Sequence, residues 1–216
     1  MKYNRSIQRC LSLLRQFRNT PVATLNELSE AVELPRATTL RILATLEHEG
    51  YAMREDGRWQ LTTNMLEIGF AVLESIGMNE LIQTHVQSLA SQFDGTSNIG
   101  ERREDEVIII ARALASAERR RLHIANLHVG SVLGKESALF RATKLTDGER
   151  FAEHFYEAVN QISVAVPIPN ISGRFLSLGI SVEKTVFAQE GEKERVVSIL
   201  IDEAEKVSRI IDSGQI

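Results

Sequence analysis

Apolar residues recur at helical spacing along the first part of the chain, and each run is bounded by a recognisable stop. Ile7, Cys10, Leu11, Leu14 and Phe17 form one stripe and predict a helix over 6–17, which Asn19-Thr20-Pro21 ends. Thr24-Leu25-Asn26-Glu27 sets a hydroxyl three residues before a carboxylate, the capping-box pattern. It starts a short helix with Leu25, Leu28 and Val32 inward. Pro35 suits the first position of the next helix, where a missing N–H costs nothing. That third helix runs to about His48 and meets Gly50 as a C-terminal cap. Thr39, Ile42, Leu43 and Leu46 share its inner stripe. Ala37, Arg41 and Ala44 lie opposite, Thr38 and Leu40 flank the outward face, and Arg36 sits on the first turn. Two short strand patterns, 51–54 and 58–61, then flank an Asp56-Gly57 hairpin signal. Three helices and a hairpin make a winged helix-turn-helix.

Beyond the hairpin, Met65, Ile68, Ala71, Val72 and Ile76 are spaced for one face of a linker helix, and Gly77 breaks it. Another helix is expected over 79–93. Strands are expected over 96–103, 107–113, 122–127, 163–168 and 174–182, the last two turning at Asn170-Ile171-Ser172-Gly173. Thr146-Asp147-Gly148-Glu149 repeats the capping-box pattern and predicts a helix reaching Val159. A final helix is expected over 192–211. The fold class is therefore α+β: residues 1–62 a winged helix-turn-helix, 63–77 a linker helix, and 78–216 an antiparallel sheet with flanking helices.

Charge sharpens this division. Residues 1–60 hold nine Lys/Arg against seven Asp/Glu, and residues 61–216 hold sixteen against twenty-two. A mildly basic head on an acidic body suits a nucleic-acid partner for the head. Cys10 is the only cysteine and falls on the apolar stripe of the first helix, so it reads as a small core hydrophobe. No apolar run is long enough for a membrane span, and the N-terminus lacks a signal-peptide pattern, so a cytoplasmic protein is expected.

Enzyme signatures are weak. Gly130-Ser131-Val132-Leu133-Gly134-Lys135-Glu136-Ser137 approaches a phosphate-binding loop, but its glycine spacing is one short and Glu136 stands where a hydroxyl is needed. The histidines at 48, 85, 123, 128 and 154 show no metal-ligand spacing, and no serine sits on a nucleophile elbow. No enzyme, no cofactor and no metal are expected. Arg119-Arg120-Arg121 is the densest basic run, yet it sits in the acidic half and reads as a solvated loop or an intersubunit ion-pair site.

The third helix carries the chemistry. Arg41 offers a planar fork that matches guanine O6 and N7, or a phosphate. Arg36 suits a phosphate or a flanking base, and Thr38 a phosphate or base edge. Ala37 lies on the same outward face. Thr39 is on the inner stripe, so its hydroxyl either bonds back to the helix or reaches a base. Leu40 meets either a thymine methyl group or the second helix. Thr24 is a cap that also aims backbone N–H groups at phosphate. Arg54 and Arg58 flank the hairpin and suit the DNA backbone or minor groove, with Trp59 as the core of the wing.

The stretch from Ser6 to Gly69 resembles the isocitrate-lyase-regulator (IclR) family of bacterial transcription factors. Ser6-Ile7-Gln8-Arg9, Leu28-Ser29-Glu30-Ala31, Leu34-Pro35-Arg36-Ala37-Thr38-Thr39-Leu40-Arg41-Ile42-Leu43, Leu46-Glu47-His48-Glu49-Gly50-Tyr51 and Leu66-Glu67-Ile68-Gly69 carry the resemblance. Val129-Gly130-Ser131 and Val164-Ala165-Val166-Pro167-Ile168 look like landmarks of that family's second domain. The resemblance implies a GAF/PAS-like effector domain sensing a small carboxylate or aromatic acid, and a homodimer or tetramer on a palindromic operator. It also implies effector contacts at Glu153, Ser163, Gly179 and Ser181. The chain departs from the family between Gly134 and Ser163, a stretch shorter than usual. There Lys135-Glu136-Ser137-Ala138-Leu139-Phe140-Arg141-Ala142-Thr143-Lys144 replaces an apolar helix of small residues, so a pocket wall is expected to be missing or rebuilt.

Together these features point to a sequence-specific DNA-binding regulator with a reduced effector domain. A winged-helix module that binds proteins, or a regulator whose second domain serves only oligomerisation, remains the alternative.

Overall fold

A computed structural model describes residues 3–116, 127–169, 171 and 173–213. The arginine run 119–121, His123, most of the strand expected at 122–127, and Asn170 and Ser172 lie outside the described residues. The chain divides into two compact units, Met1–Val72 and Leu73–Ile216.

In the first unit, α1 (Arg5–Gln16) begins where the Asn4 side chain accepts from the Ser6 and Ile7 N–H groups. After the short strand β1 (Val22–Thr24), the Thr24 capping box forms in full at the start of α2 (Leu25–Ala31). Helix α3 (Arg36–His48) starts one residue later than the sequence suggests. Pro35 is its cap, with an extended ψ of 136° and no side-chain bond. Strands β2 (Ala52–Glu55) and β3 (Arg58–Leu61) pair antiparallel with Glu55 opposite Arg58. Asp56 and Gly57 close that two-residue turn at φ 48° and 80°, the left-handed geometry that keeps the strands' twist. Strand β1, which the periodicity does not show, adds to the outer side of β3. Leu13, Phe17, Leu28, Leu43, Leu46 and Trp59 fill the core.

Helix α4 (Asn64–Ser75) has no buried residue, and Leu66, Ile68 and Phe70 are exposed. Of the stripe expected for it, Ile76 packs against the core of the second unit together with Leu73, while Ile68, Ala71 and Val72 stay exposed.

The second unit is built on an antiparallel sheet ordered β6-β5-β4-β9-β8-β7. Its strands are β4 (Thr96–Arg103), β5 (Glu106–Leu114), β6 (Val132–Leu133), β7 (Ala152–Tyr156), β8 (Gln161–Ile168) and β9 (Leu176–Glu183). Helices α5 (Glu80–Gln92) and α7 (Glu192–Ser213) bury Ile82, Val86, Leu89, Val196, Leu200 and Val207 against Ile99, Val164, Leu178 and Val182. Side chains alternate along a strand, so Ala165, next to Val164, faces the other way. There it meets a five-residue helix, α6 (Ala138–Ala142), capped by the Ser137 hydroxyl.

One expectation is corrected here. The helix expected from Thr146 to Val159 does not form. The Thr146 N–H and hydroxyl do bond the Glu149 carboxylate, at 2.8 and 2.9 Å, but they close a turn. Ala152–Tyr156 is instead the edge strand β7, paired to β8, and Glu157–Val159 is a single 3₁₀ turn. The segment expected to leave a wall missing or rebuilt supplies α6, whose Ala138, Leu139, Phe140 and Ala142 are all buried.

Candidate nucleic-acid interface and effector cavity

The first unit presents α3 as its sequence pattern requires. Thr39, Leu43 and Leu46 are buried on the inner stripe, while Arg36, Ala37, Leu40 and Arg41 are exposed and Thr38 is half-buried. Leu40 is 40% exposed, which favours an outward contact over packing beneath α2. Thr39 is fully buried, with its hydroxyl directed to the Pro35 carbonyl at 3.5 Å. It therefore cannot reach a base, and its place among the expected DNA contacts is corrected. Buried hydroxyls of this kind bond back to the helix instead.

Thr24, Glu27 and Arg58 form a second polar group beside this helix pair. The Thr24 N–H donates to Glu27 Oε2 at 2.6 Å, and the Glu27 N–H donates to the Thr24 hydroxyl at 3.3 Å. Arg58 Nη1 stands 3.8 Å from the same carboxylate, with both side chains about half exposed, an arrangement of small energetic weight. Arg54 lies on the facing strand with its guanidinium 5.8 Å from the centre of the Trp59 ring, and Trp59 itself is only 2% exposed. Trp59 thus forms the wing's core, and the two arginines remain at its surface.

Trp59 is the chain's single tryptophan, so its fluorescence reports on this unit alone. Thr24→Ala is expected to lower the unit's unfolding free energy by about 1 kcal/mol, read from that signal in urea. The cap also sets a pH dependence. The backbone N–H of Thr24 and then its hydroxyl hold the Glu27 carboxyl below the usual carboxylate range, with a smaller contribution from Arg58. A depressed folded pKa means the stabilisation is complete above the unfolded carboxylate value and is lost as pH falls through the folded one. Glu27→Gln is expected to remove that acid-side loss from a series of urea midpoints, and an unchanged slope would refute it.

The second unit holds a cavity of about 130 Å³ between the sheet and α6. Ser163 and Ser181 lie opposite each other on β8 and β9 and share a hydrogen bond of 2.5 Å. Gly179 lines the same space, opposite Ala165. A Cβ added at Gly179 would come within 2.9 Å of both Ala165 Cβ and the Val164 carbonyl, so this position holds the strands and α6 in close approach and has no room for a hydroxyl.

Glu153 is corrected. It pairs with Val164, not Ser163, and so sits on the alternate face. Its carboxylate receives Lys193 Nζ of α7 at 2.7 Å.

Other cavity residues escape the sequence reading. Arg112 on β5 lies opposite Asn98 on β4, and its Nη1 donates to Asn98 Oδ1 at 2.6 Å. Tyr156 bonds Ser163, but burial dominates and raises its phenol above the usual tyrosine range, so it is neutral at physiological pH. An arginine inside the apolar run Val107–Ala113 was the signal available for Arg112. Among the described residues there is no cluster of histidine, cysteine and carboxylate groups fit to hold a metal ion. No described helix is long and apolar enough to cross a membrane.

The comparisons with known proteins decide what the first unit is. A family model described as the IclR helix-turn-helix domain matches residues 6–56. Residues 6–56 thus form an IclR-type helix-turn-helix domain. A curated IclR-type relative, the Pca regulon regulatory protein of Pseudomonas putida, is 30% identical over 129 residues, covering 59% of this chain and 43% of that protein. The chain spans about half the length of the curated relatives it matches. An IclR transcriptional regulator from Alicyclobacillus acidocaldarius superposes with a TM-score of 0.78 at 20% identity, over 97% of this chain and 100% of that one. An IclR homologue from Microbacterium hydrocarbonoxydans, solved with 4-hydroxybenzoate, superposes with a TM-score of 0.75 at 14% identity, over 96% and 99% of the two chains. At these identities the solved structures establish the IclR fold, a helix-turn-helix unit followed by a curled antiparallel sheet with helices.

Proposed function

We propose that this chain is a sequence-specific DNA-binding transcriptional regulator, controlled by a small organic acid. The observation that carries this reading is α3, which packs with Thr39, Leu43 and Leu46 and leaves Arg36, Ala37, Leu40 and Arg41 outward. Arg41 reads guanine or grips phosphate, Leu40 meets a thymine methyl group, and Arg36 and Thr38 contact the backbone or a flanking base. Thr24, Arg54 and Arg58 touch phosphates from the cap and the wing. Residues 1–62 are the DNA-binding head, 63–77 the linker and 78–216 the effector and dimerisation domain. The relatives are named as regulators and not as enzymes, which fits a cytoplasmic protein that acts on the chromosome.

A homodimer follows from α4. A helix apolar on several sides, with Leu66, Ile68 and Phe70 exposed and only Leu73 packed against a core, leaves most of its apolar surface in water in a single chain. Phe70 is 59% exposed in the single chain, and a second copy would cover it. The effector reading draws on the cavity that Ser163, Gly179 and Ser181 line, and on the aromatic acid bound by the Microbacterium homologue.

The test is a mobility shift on genomic fragments selected by the full chain. The expected result is a palindromic site with half-site centres about one helical turn apart, bound as a dimer and weakening steeply with salt. Failure to enrich any fragment, with the head shown folded by Trp59 fluorescence, would reject the reading in favour of a protein-binding winged helix.

A further inference from the structure

The cavity of the second unit is small, and its lining is not evenly polar. About 130 Å³ is less than the roughly 150 Å³ of an engineered apolar cavity that accommodates benzene. A ring that also carries a carboxylate exceeds it. The reason lies in α6. Leu139 rests over two glycines of the sheet, Gly100 and Gly179, where an added Cβ would stand 3.4 and 3.2 Å from its methyl groups. Helix α6 is thus pressed onto a glycine floor, which leaves little space above the serine pair.

Charge is supplied at one point. Of the described residues that line this cavity, Arg112 alone carries a charge, because the buried Tyr156 phenol stays neutral. The guanidinium is oriented by the amide oxygen of Asn98, itself buried, on the neighbouring strand. The hydroxyls of Tyr156, Ser163 and Ser181 are linked by hydrogen bonds on β7, β8 and β9. These strands lie toward the opposite edge of the sheet from β5. A ligand that spans the cavity therefore meets a fixed cation at one end and a line of hydroxyls at the other.

We infer that Arg112, positioned by Asn98, is the anchor for the effector's carboxylate, and that Leu139 restricts the effector to short aliphatic hydroxy- or oxocarboxylates. This rests on the reading of the second unit as an effector domain. It goes further by assigning the charge-reading residue, the size gate and the chemical class. The aromatic acid held by the Microbacterium homologue falls outside that class.

Isothermal titration of the whole 216-residue chain tests it. The probes are lactate, 2-oxobutyrate and 3-hydroxybutyrate, each beside its primary amide, together with benzoate and 4-hydroxybenzoate. At least one of the short acids is expected to bind, with its amide weaker by about tenfold or more, the effect of losing a charge-assisted hydrogen bond. Benzoate is expected to leave the wild type unmoved. Arg112→Met is expected to lose the short acid by a similar factor, and Leu139→Ala to gain benzoate. An amide that matches its acid overturns the anchor without requiring any variant to fold. Benzoate binding to the wild type as tightly as the short acids overturns the size gate. Either of those outcomes leaves the effector domain itself standing, whereas silence from every probe overturns both the inference and the reading beneath it.

Discussion

Leu43→Ala is expected to destabilise the DNA-binding head by about 2–5 kcal/mol, the range for truncating a fully buried leucine. Leu43 has no exposed surface and belongs to the same core as Leu13, Leu28, Leu46 and Trp59. It stands on the inner stripe of α3, so the hole opens between the recognition helix and the rest of the unit. A unit of this size commands about 4–10 kcal/mol in all. The loss is thus a large part of the total, and the urea midpoint read from Trp59 should fall steeply. DNA binding should fall with it, because the helix would no longer be held at a fixed angle. The second unit has no tryptophan and its own separate core, so its far-UV transition should stay in place. A Trp59 midpoint within the scatter of surface substitutions, about 0.5 kcal/mol, would show that α3 is not packed as described.

The head was legible in the sequence because its signals are local. A capping box, a proline, a glycine-bearing turn and a helical stripe each act over a few residues, and α1, α2, α3 and the hairpin appear where these signals stand. The second unit was less so, because distant pairing overrode local preference. Thr146 and Glu149 make their cap bonds and still no helix follows, since Ala152–Tyr156 gains a whole ladder by joining β8. Helix α6 was hidden for another reason. It is five residues long, with only Arg141 exposed among buried neighbours, so there is no period to detect.

The candidate sites divide in the same way. Arg36, Leu40 and Arg41 follow from helical geometry alone. Ser163 and Ser181 came from resemblance and do line one cavity. Glu153 failed because a strand reverses its face with each residue, and only the register with Val164 tells which face it takes. Arg112 was unreadable as a site residue until Asn98 was placed opposite it by a strand pairing that shifts at Ile99/Gly100.

Arg41→Ala is expected to cost about 1–3 kcal/mol on the specific duplex, roughly a 5- to 150-fold loss of affinity, while leaving the fold intact. Arg41 is exposed on the outer face of α3, and among the described residues no ion pair holds its guanidinium. Its backbone carbonyl accepts from the Thr45 hydroxyl at 2.9 Å, a bond that survives the substitution. The Trp59 midpoint should therefore stay within about 0.5 kcal/mol of the wild type. Leu43 and Arg41 stand two positions apart on one helix, and their variants should separate stability from recognition. The kind of loss then identifies what Arg41 touches. A guanine contact predicts that the variant loses affinity for the selected site but little for random duplex. A phosphate contact predicts equal loss on both and a salt slope smaller by about one. Arg58 gives the comparison, because Glu27 already partly neutralises it at 3.8 Å. Arg58→Ala should therefore cost less than Arg41→Ala on the same duplex, and the reverse order would move the reading surface from the helix to the wing.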